Sequence, residues 1–394
     1  ALDPTGNIVL AGNTYGSLDG HGNAPLGAYP VITFSMKFGP DGTWQWTEQW
    51  ADSVNDEFFG GMTIDPTGRI VVAGDTGGVV DDSVVQSTGE RDIFWRRLTV
   101  DGVVQASGQR GSVFSEVFGQ VLVHPTTKKI FLAGQTYGSI DGVPNAGSSD
   151  IFLMKYYDAG LHHETFMRGS SAADYFGTMS LDTAGEIFIS GHTSGSLDGN
   201  EHFGETDIFL MKFNDKGEWI WTKQRGSASY DYFGAMVLDT ADSILLAGRT
   251  YDSFDGNSTV GFPGSSDIVL MKFGNDGTWQ WTEQRTSFSS NIFGIALDTT
   301  GNILLAGHTP GALDGNSHSL GELDYFLMQF EPDGTWQWTK QQGPVGGSNV
   351  VMALDTTGSI FLTGVAVGNL DGNAHRGGRD IFLMKYGLTP PPPA

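Results

Sequence analysis

Apolar residues in this chain fall into two kinds of run. Some segments are apolar at successive positions, as in Ile244-Leu245-Leu246-Ala247 and Ile268-Val269-Leu270-Met271. Others alternate, as in Trp279-Gln280-Trp281-Thr282. A strand that is apolar on both faces must be covered on both, whereas an alternating strand is half exposed. No helical periodicity accompanies them. Turn signals separate the runs: Asp239-Thr240-Ala241-Asp242, then Gly274-Asn275-Asp276-Gly277, whose Asp-Gly is a strong hairpin signal. One unit therefore predicts strands at 234–238, 243–247, 267–273 and 278–283, with a long polar loop over 249–266.

The unit recurs along the whole chain. Leu-Asp-x-Thr-Gly, an apolar run and Ala-Gly-x-Thr return with a marker glycine at Gly12, Gly74, Gly134, Gly191, Gly248, Gly307 and Gly364, 57 to 62 residues apart. Four strands per repeat, buried on both faces in the middle and half exposed at the last strand, predict an all-β chain. The expected architecture is a single seven-bladed β-propeller of four-stranded antiparallel blades. Repeats near 1–62, 63–121, 122–179, 180–236, 237–295, 296–352 and 353–387 form it. Residues 388–394, with Pro390 to Pro393, are a proline-rich linker stub. The first repeat starts inside its first strand and the seventh stops at its third, 380–386. An unpaired edge and association through that unclosed blade are expected there, with residues upstream of Ala1 expected to close it. The opening Ala1-Leu2-Asp3-Pro4 has neither an initiator Met nor a signal peptide and reads as a processed or truncated product.

The units Leu297 to Gly307 (LDTTGNILLAG), Asp380 to Tyr386 (DIFLMKY) and Gly195 to Asn200 (GSLDGN) resemble the SBBP family of β-propeller repeats over essentially all of 1–389. The resemblance implies a seven-bladed propeller in an extracellular or cell-surface setting, and it hands over no catalytic residues. Repeat two departs from the pattern at Trp95-Arg96-Arg97 and Asp81-Asp82, repeat three at His124 and His162-His163-Glu164.

Charge narrows the partners. With 45 acidic against 21 basic residues and a formal net charge of -24, a nucleic-acid partner or an anionic lipid surface is disfavoured. Divalent cations or basic partners suit it better. Absence of cysteine removes disulfides, thiolate zinc sites and cysteine nucleophiles. No apolar run is long enough for a membrane span.

Candidate chemistry is repeated rather than unique. Asp3, Asp65, Asp182, Asp239, Asp298 and Asp355 open the first turn and read as turn caps. Asp92, Asp150, Asp207, Asp267, Asp324 and Asp380 open the third strand and read as acceptors for turn or neighbouring amides, with metal ligation the alternative. The loop before them offers Asp19, Asp141, Asp198 with Asn200, Asp255 with Asn257, Asp314 with Asn316, and Asp371 with Asn373. Oxygen-rich Asp-Gly-Asn loops suit calcium, although an Asx-turn explains them without an ion. The pairs Trp44/Trp46, Trp219/Trp221, Trp279/Trp281 and Trp336/Trp338 read as packing between blades, with sugar stacking as the alternative. His192 and His308 read as interchangeable polar surface groups.

No nucleophile elbow, phosphate loop or dinucleotide fingerprint is present. The expected function is therefore a non-enzymatic extracellular or cell-surface structural and protein-interaction module, one domain of a larger assembly. The alternative is a carbohydrate-binding, lectin-like propeller with glycan contacts near Tyr15, Tyr137 and Tyr251. A propeller enzyme would require one asymmetric pocket.

Overall fold

The computed structural model describes residues 1–19, 31–50, 57–80, 89–157, 162–257, 264–317, 322–345, 351–355, 357–370 and 373–387. Every regular element in them is a strand, and no helix is long and apolar enough to cross a membrane. The first sheet has three strands: β1 (Ile8–Thr14), β2 (Ile32–Phe38) and β3 (Trp44–Trp50). Three four-stranded sheets follow. They are β4 (Glu57–Ile64), β5 (Ile70–Thr76), β6 (Asp92–Leu98) and β7 (Val104–Arg110); β8 (Glu116–Val123), β9 (Ile130–Thr136), β10 (Asp150–Tyr156) and β11 (His162–Arg168); and β12 (Asp174–Leu181), β13 (Ile187–Thr193), β14 (Asp207–Phe213) and β15 (Trp219–Arg225). A fourth comprises β16 (Asp231–Leu238), β17 (Ile244–Thr250), β18 (Asp267–Phe273) and β19 (Trp279–Arg285).

The sixth and seventh repeats share one sheet. Its strands are β20 (Asn291–Leu297), β21 (Ile303–Thr309), β22 (Leu323–Phe330), β23 (Trp336–Val345), β24 (Val351–Leu354), β25 (Ile360–Ala366) and β26 (Asp380–Tyr386). Here the expectation of equal four-stranded blades needs correction. β23 runs on for ten residues, and its end pairs Val345 with Ala366 of β25. Gly343-Pro344-Val345 stands where the fourth repeat has Gly226-Ser227-Ala228, and here the chain stays extended. The first sheet lacks its first strand, which is reduced to a bridge between Leu2 and Ile8.

Strand limits follow side-chain chemistry. β16 begins at Asp231, three residues earlier than the apolar run predicts, because its first residues pair with Thr250 and Arg249. A bulge between Phe233 and Ala235 absorbs Gly234. A second bulge, between Lys272 and Phe273, sets Trp281 against Lys272 and Trp279 against Phe273. Bulges raise local twist and re-aim side chains.

The chain divides into two compact units. One comprises Ala1–Ile189, Gly195–Gly199 and Met211–Ile220, the other Ser190–Ser194, Asn200–Leu210 and Trp221–Ala394. In the first, Val71, Ile93 and Trp95 meet Leu132, Phe152 and Met154. In the second, Leu245, Ile268 and Leu270 meet Leu305, Phe326 and Met328. This is why the middle strands are apolar at successive positions: one face meets the preceding sheet and the other the following one. Each such buried side chain contributes about 1.5–3 kcal/mol relative to exposure. Half-exposed ion pairs contribute about 0–1 kcal/mol, so packing rather than charge carries the stack.

Candidate functional site

The Asp-Gly loops are turns first. Asp19, Asp141, Asp198, Asp255 and Asp314 all have φ between 47° and 52°. The glycines after four of them, Gly142, Gly199, Gly256 and Gly315, have φ of 77–80°. With Asn257 N–H donating to Phe254 O (2.9 Å) and Asn316 N–H to Leu313 O (2.8 Å), these have the character of type I′ turns, which need two positive φ values.

The turn aspartates are also latched by neighbours. Asp255 accepts from Thr282 of its own repeat and from Arg225 of the preceding one; Asp314 accepts in the same way from Thr339 and Arg285. Asp19 accepts from Thr47, Asp141 from Thr165 (2.6 Å) and Asp198 from Arg168 (3.0 Å). Each arginine then covers the first Trp of the next pair: Arg168 on Trp219, Arg225 on Trp279 and Arg285 on Trp336, at 4.3–4.6 Å. Asn200 and Asn316 donate to the Thr222 and Thr339 carbonyls instead of converging with the carboxylates. Asn373 donates its N–H to Leu370 O, and Asp371 lies outside the described residues. Among the described residues no three His, Asp or Glu side chains gather as a metal would require.

The other repeated acids are equally occupied. Asp3 accepts from Thr5 and Asn7 and pairs with Lys37 at 2.9 Å, which holds its carboxyl well below the usual range despite burial. Asp267 and Asp324 accept from the last-strand glutamines Gln284 and Gln341, both at 2.9 Å. Arg96 forks onto Glu57 in the core. His124 Nδ1 accepts from the Thr126 and Thr127 amides.

One position breaks the repetition. The residue after the marker glycine is an acceptor in the first three repeats. Asn13 Oδ1 accepts from Phe59 N–H (2.8 Å) and Gln135 Oε1 from Phe176 N–H (3.1 Å), and Asp75 takes the Phe118 amide. In the next three it is His192, Arg249 and His308. A guanidinium cannot accept a hydrogen bond, so Arg249 turns to Asn291 Oδ1 (2.5 Å). Asn291 Nδ2 in turn meets His308 Nε2 at 3.0 Å.

Three tyrosines close round this arginine. Its guanidinium lies 4.8 Å from the Tyr232 ring and 5.9 Å from that of Tyr251. Tyr230 stacks on Tyr232 at 6.1 Å and stays substantially exposed. His192 meets Tyr232 edge-on at 5.2 Å. A cavity of about 170 Å³ opens between His192, Tyr232, Arg249, Asn291 and Ile292.

Electrostatics make the site a cation flanked by neutral rings. Burial, with a smaller contribution from Arg249, pushes His192 down to about 4. The same two causes lower His308. His308 Nδ1 is buried without a hydrogen-bond partner. Arg96, Arg168, Arg225 and Arg285 each hold a carboxylate, whereas Arg249 has none among the described residues. The reading of His192 and His308 as surface groups is therefore corrected: they are drawn in around Arg249. Of the three tyrosines singled out from the sequence, Tyr251 belongs to this cluster. Tyr15 is exposed, and the Tyr137 hydroxyl accepts from the Gln135 amide at 3.4 Å, away from this cluster.

Comparisons with known proteins bear on the fold. No protein-family model matches the chain. A 151-residue stretch, 36% of the chain, is 27% identical to the regulatory protein FlaEY of Caulobacter vibrioides. A 170-residue stretch is 25% identical to an uncharacterized WD repeat-containing protein, L264, of Acanthamoeba polyphaga mimivirus. The matches span only 16% and 12% of those proteins. Among solved structures, a PL25 polysaccharide lyase, an ulvan lyase bound to -[GlcA(1-4)Rha3S]-, superimposes with a TM-score of 0.50 at 12% identity, covering 96% of each chain. A second structure of a PL25 ulvan lyase gives 0.50 at 13%. The chain thus shares a β-propeller-like all-β fold with them.

Proposed function

We propose that this chain is a seven-bladed β-propeller that binds anionic carbohydrate at the Arg249 cluster, in the extracellular or cell-surface setting that its repeat resemblance implies. One observation carries the reading: a cation without a carboxylate partner among the described residues, walled by tyrosines, in a protein of net charge -24. Aromatic faces stack on sugar rings, and a guanidinium recognises a uronate or sulfate group through paired N–H donors. The ulvan lyase of similar fold is described with a glucuronate- and sulfate-bearing saccharide, which supports that ligand class. The alternative weighed at the outset, several equivalent lectin sites, is replaced by one site in repeats four to six. Binding without turnover is the activity we assign.

Calorimetry with uronate-containing oligosaccharides and with a neutral glucan tests it. Saturable binding of the acidic sugar alone is expected, weakened at least ten-fold by Arg249→Gln and also by Tyr251→Ala. Equal binding of the two sugars, or an undiminished Arg249→Gln, would refute the assignment. Shortening of the oligosaccharide with new unsaturated ends would replace binding by catalysis.

A further inference from the structure

The first residue of a repeat's opening strand decides what a nearby cation meets. β4, β8, β12, β16 and β20 begin with Glu57, Glu116, Asp174, Asp231 and Asn291. The four acids are wholly buried. Three of them are served by the serine four residues earlier. Ser112, Ser170 and Ser227 each donate an N–H (2.5–2.9 Å) and an Oγ–H (2.6–3.2 Å), to Glu116, Asp174 and Asp231 in turn. Glu57 meets an arginine instead. It accepts from Arg96 Nη1 at 3.0 Å and from Nη2 at 2.6 Å, so that guanidinium is spent inside the protein.

The sixth repeat departs from this arrangement. Ser287 stands four residues before Asn291 and does not serve it. Its N–H goes to Asp267 Oδ1 (3.2 Å) and its Oγ–H to Ser266 O (2.6 Å). Asn291 faces Arg249, with Oδ1 accepting from Nη1 at 2.5 Å and Nδ2 lying 3.0 Å from His308 Nε2. Asp231, one residue before Tyr232, is taken up by Ser227 and Thr250. An amide oxygen fixes a guanidinium without cancelling its charge. Asn and Asp have the same shape, so a carboxylate at this position would reach the same nitrogen. It would neutralise Arg249 as Glu57 neutralises Arg96.

We propose that Asn291 is the positioning residue that keeps Arg249 open to an anionic ligand. It stands where the four preceding repeats carry an acid, and it holds the guanidinium at the cavity while leaving the charge to be met by the sugar's carboxylate or sulfate. Losing the strand's own acid and gaining an arginine beside it are then two halves of one adaptation. The inference rests on the reading of Arg249 as a carbohydrate site and names the residue on which that site's preference for anions depends.

Asn291→Asp and Asn291→Ala are compared with the parent chain, by calorimetry with a uronate-containing oligosaccharide and by melting without it. Asn291→Asp should weaken binding about ten-fold or more, and Asn291→Ala only about three-fold, through lost positioning. A merely structural asparagine predicts the opposite order, because Asp keeps its shape and Ala does not. In the ligand-free melts, Arg249→Gln should lower the melting temperature by about 2 °C more in the Asn291→Asp background than in the parent, since only there does it break an ion pair. A parent that binds the sugar, with Ala as damaging as Asp or more so, would overturn the role of Asn291 and leave the Arg249 site standing. Absence of the excess in the melts would overturn it whether or not sugar binds. A parent that binds no acidic sugar would strike the Arg249 site itself, and this inference with it.

Discussion

Asp231 and His192 respond to acid in opposite directions. The Asp231 carboxyl is wholly buried, accepts from Ser227 N–H and Oγ, and is pushed up to about 7, chiefly by burial and in small part by Asp207. The folded chain therefore holds a proton that the unfolded chain releases above its value of 3.8. That contribution is complete below 3.8 and is lost as pH rises through about 7. His192, lowered from 6.5 to about 4, does the reverse: the folded chain holds fewer protons, and stability falls as pH drops from 6.5 towards 4. Asp231→Asn removes the first dependence. Its melting temperature should gain on that of the parent as pH is raised from about 4 to about 8, and a constant difference across that range would contradict the buried, protonated carboxyl. At this scale the sequence was only partly legible. The turn aspartates were readable as caps because six of the seven repeats show them, with His124 in the third. Arg249 was not, because its meaning lies in a column: three acceptors followed by His, Arg and His. Reading the repeats side by side at that position would have exposed the break.

Strands and turns were the most legible level. Apolar runs gave the middle strands, and Asp-Gly gave the hairpins. Boundaries slipped where polar residues pair in the ladder, as at Asp231 and Arg249. The loop aspartates were legible as turns but ambiguous as ligands, since an Asp-Gly-Asn sequence is identical whether Arg225 or a cation meets the carboxylate. In the structure Thr282 and Arg225 occupy the Asp255 carboxylate, which favours the turn reading. Added calcium or chelator should leave the melting temperature unchanged. Asp255→Asn should be tolerated, because Asn also adopts positive φ and can accept from Thr282. Asp255→Ala should cost about 1–2 kcal/mol by denaturant unfolding, through backbone strain and lost hydrogen bonds. A calcium-dependent melt with no penalty for Asp255→Ala would reverse that assignment.

At the level of the whole molecule, the number of repeats and their all-β character were plain in the spacing of the marker glycines. The joining of the sixth and seventh repeats was not, because it turns on the course of three residues, Gly343, Pro344 and Val345, that carry no hydrophobic pattern. Elsewhere, neighbouring sheets are held by packed cores, an arginine on a tryptophan, a latched turn and isolated main-chain contacts such as Asp231 N–H to Thr206 O. The sixth and seventh repeats instead share one sheet, joined where Val345 pairs with Ala366. Side-chain contacts yield gradually under load, whereas an extra strand pairing must break before its sheet can part. If the chain were held at both ends and stretched, most repeats would release one at a time. The last two would come out together, in a single extension step twice as long as the others.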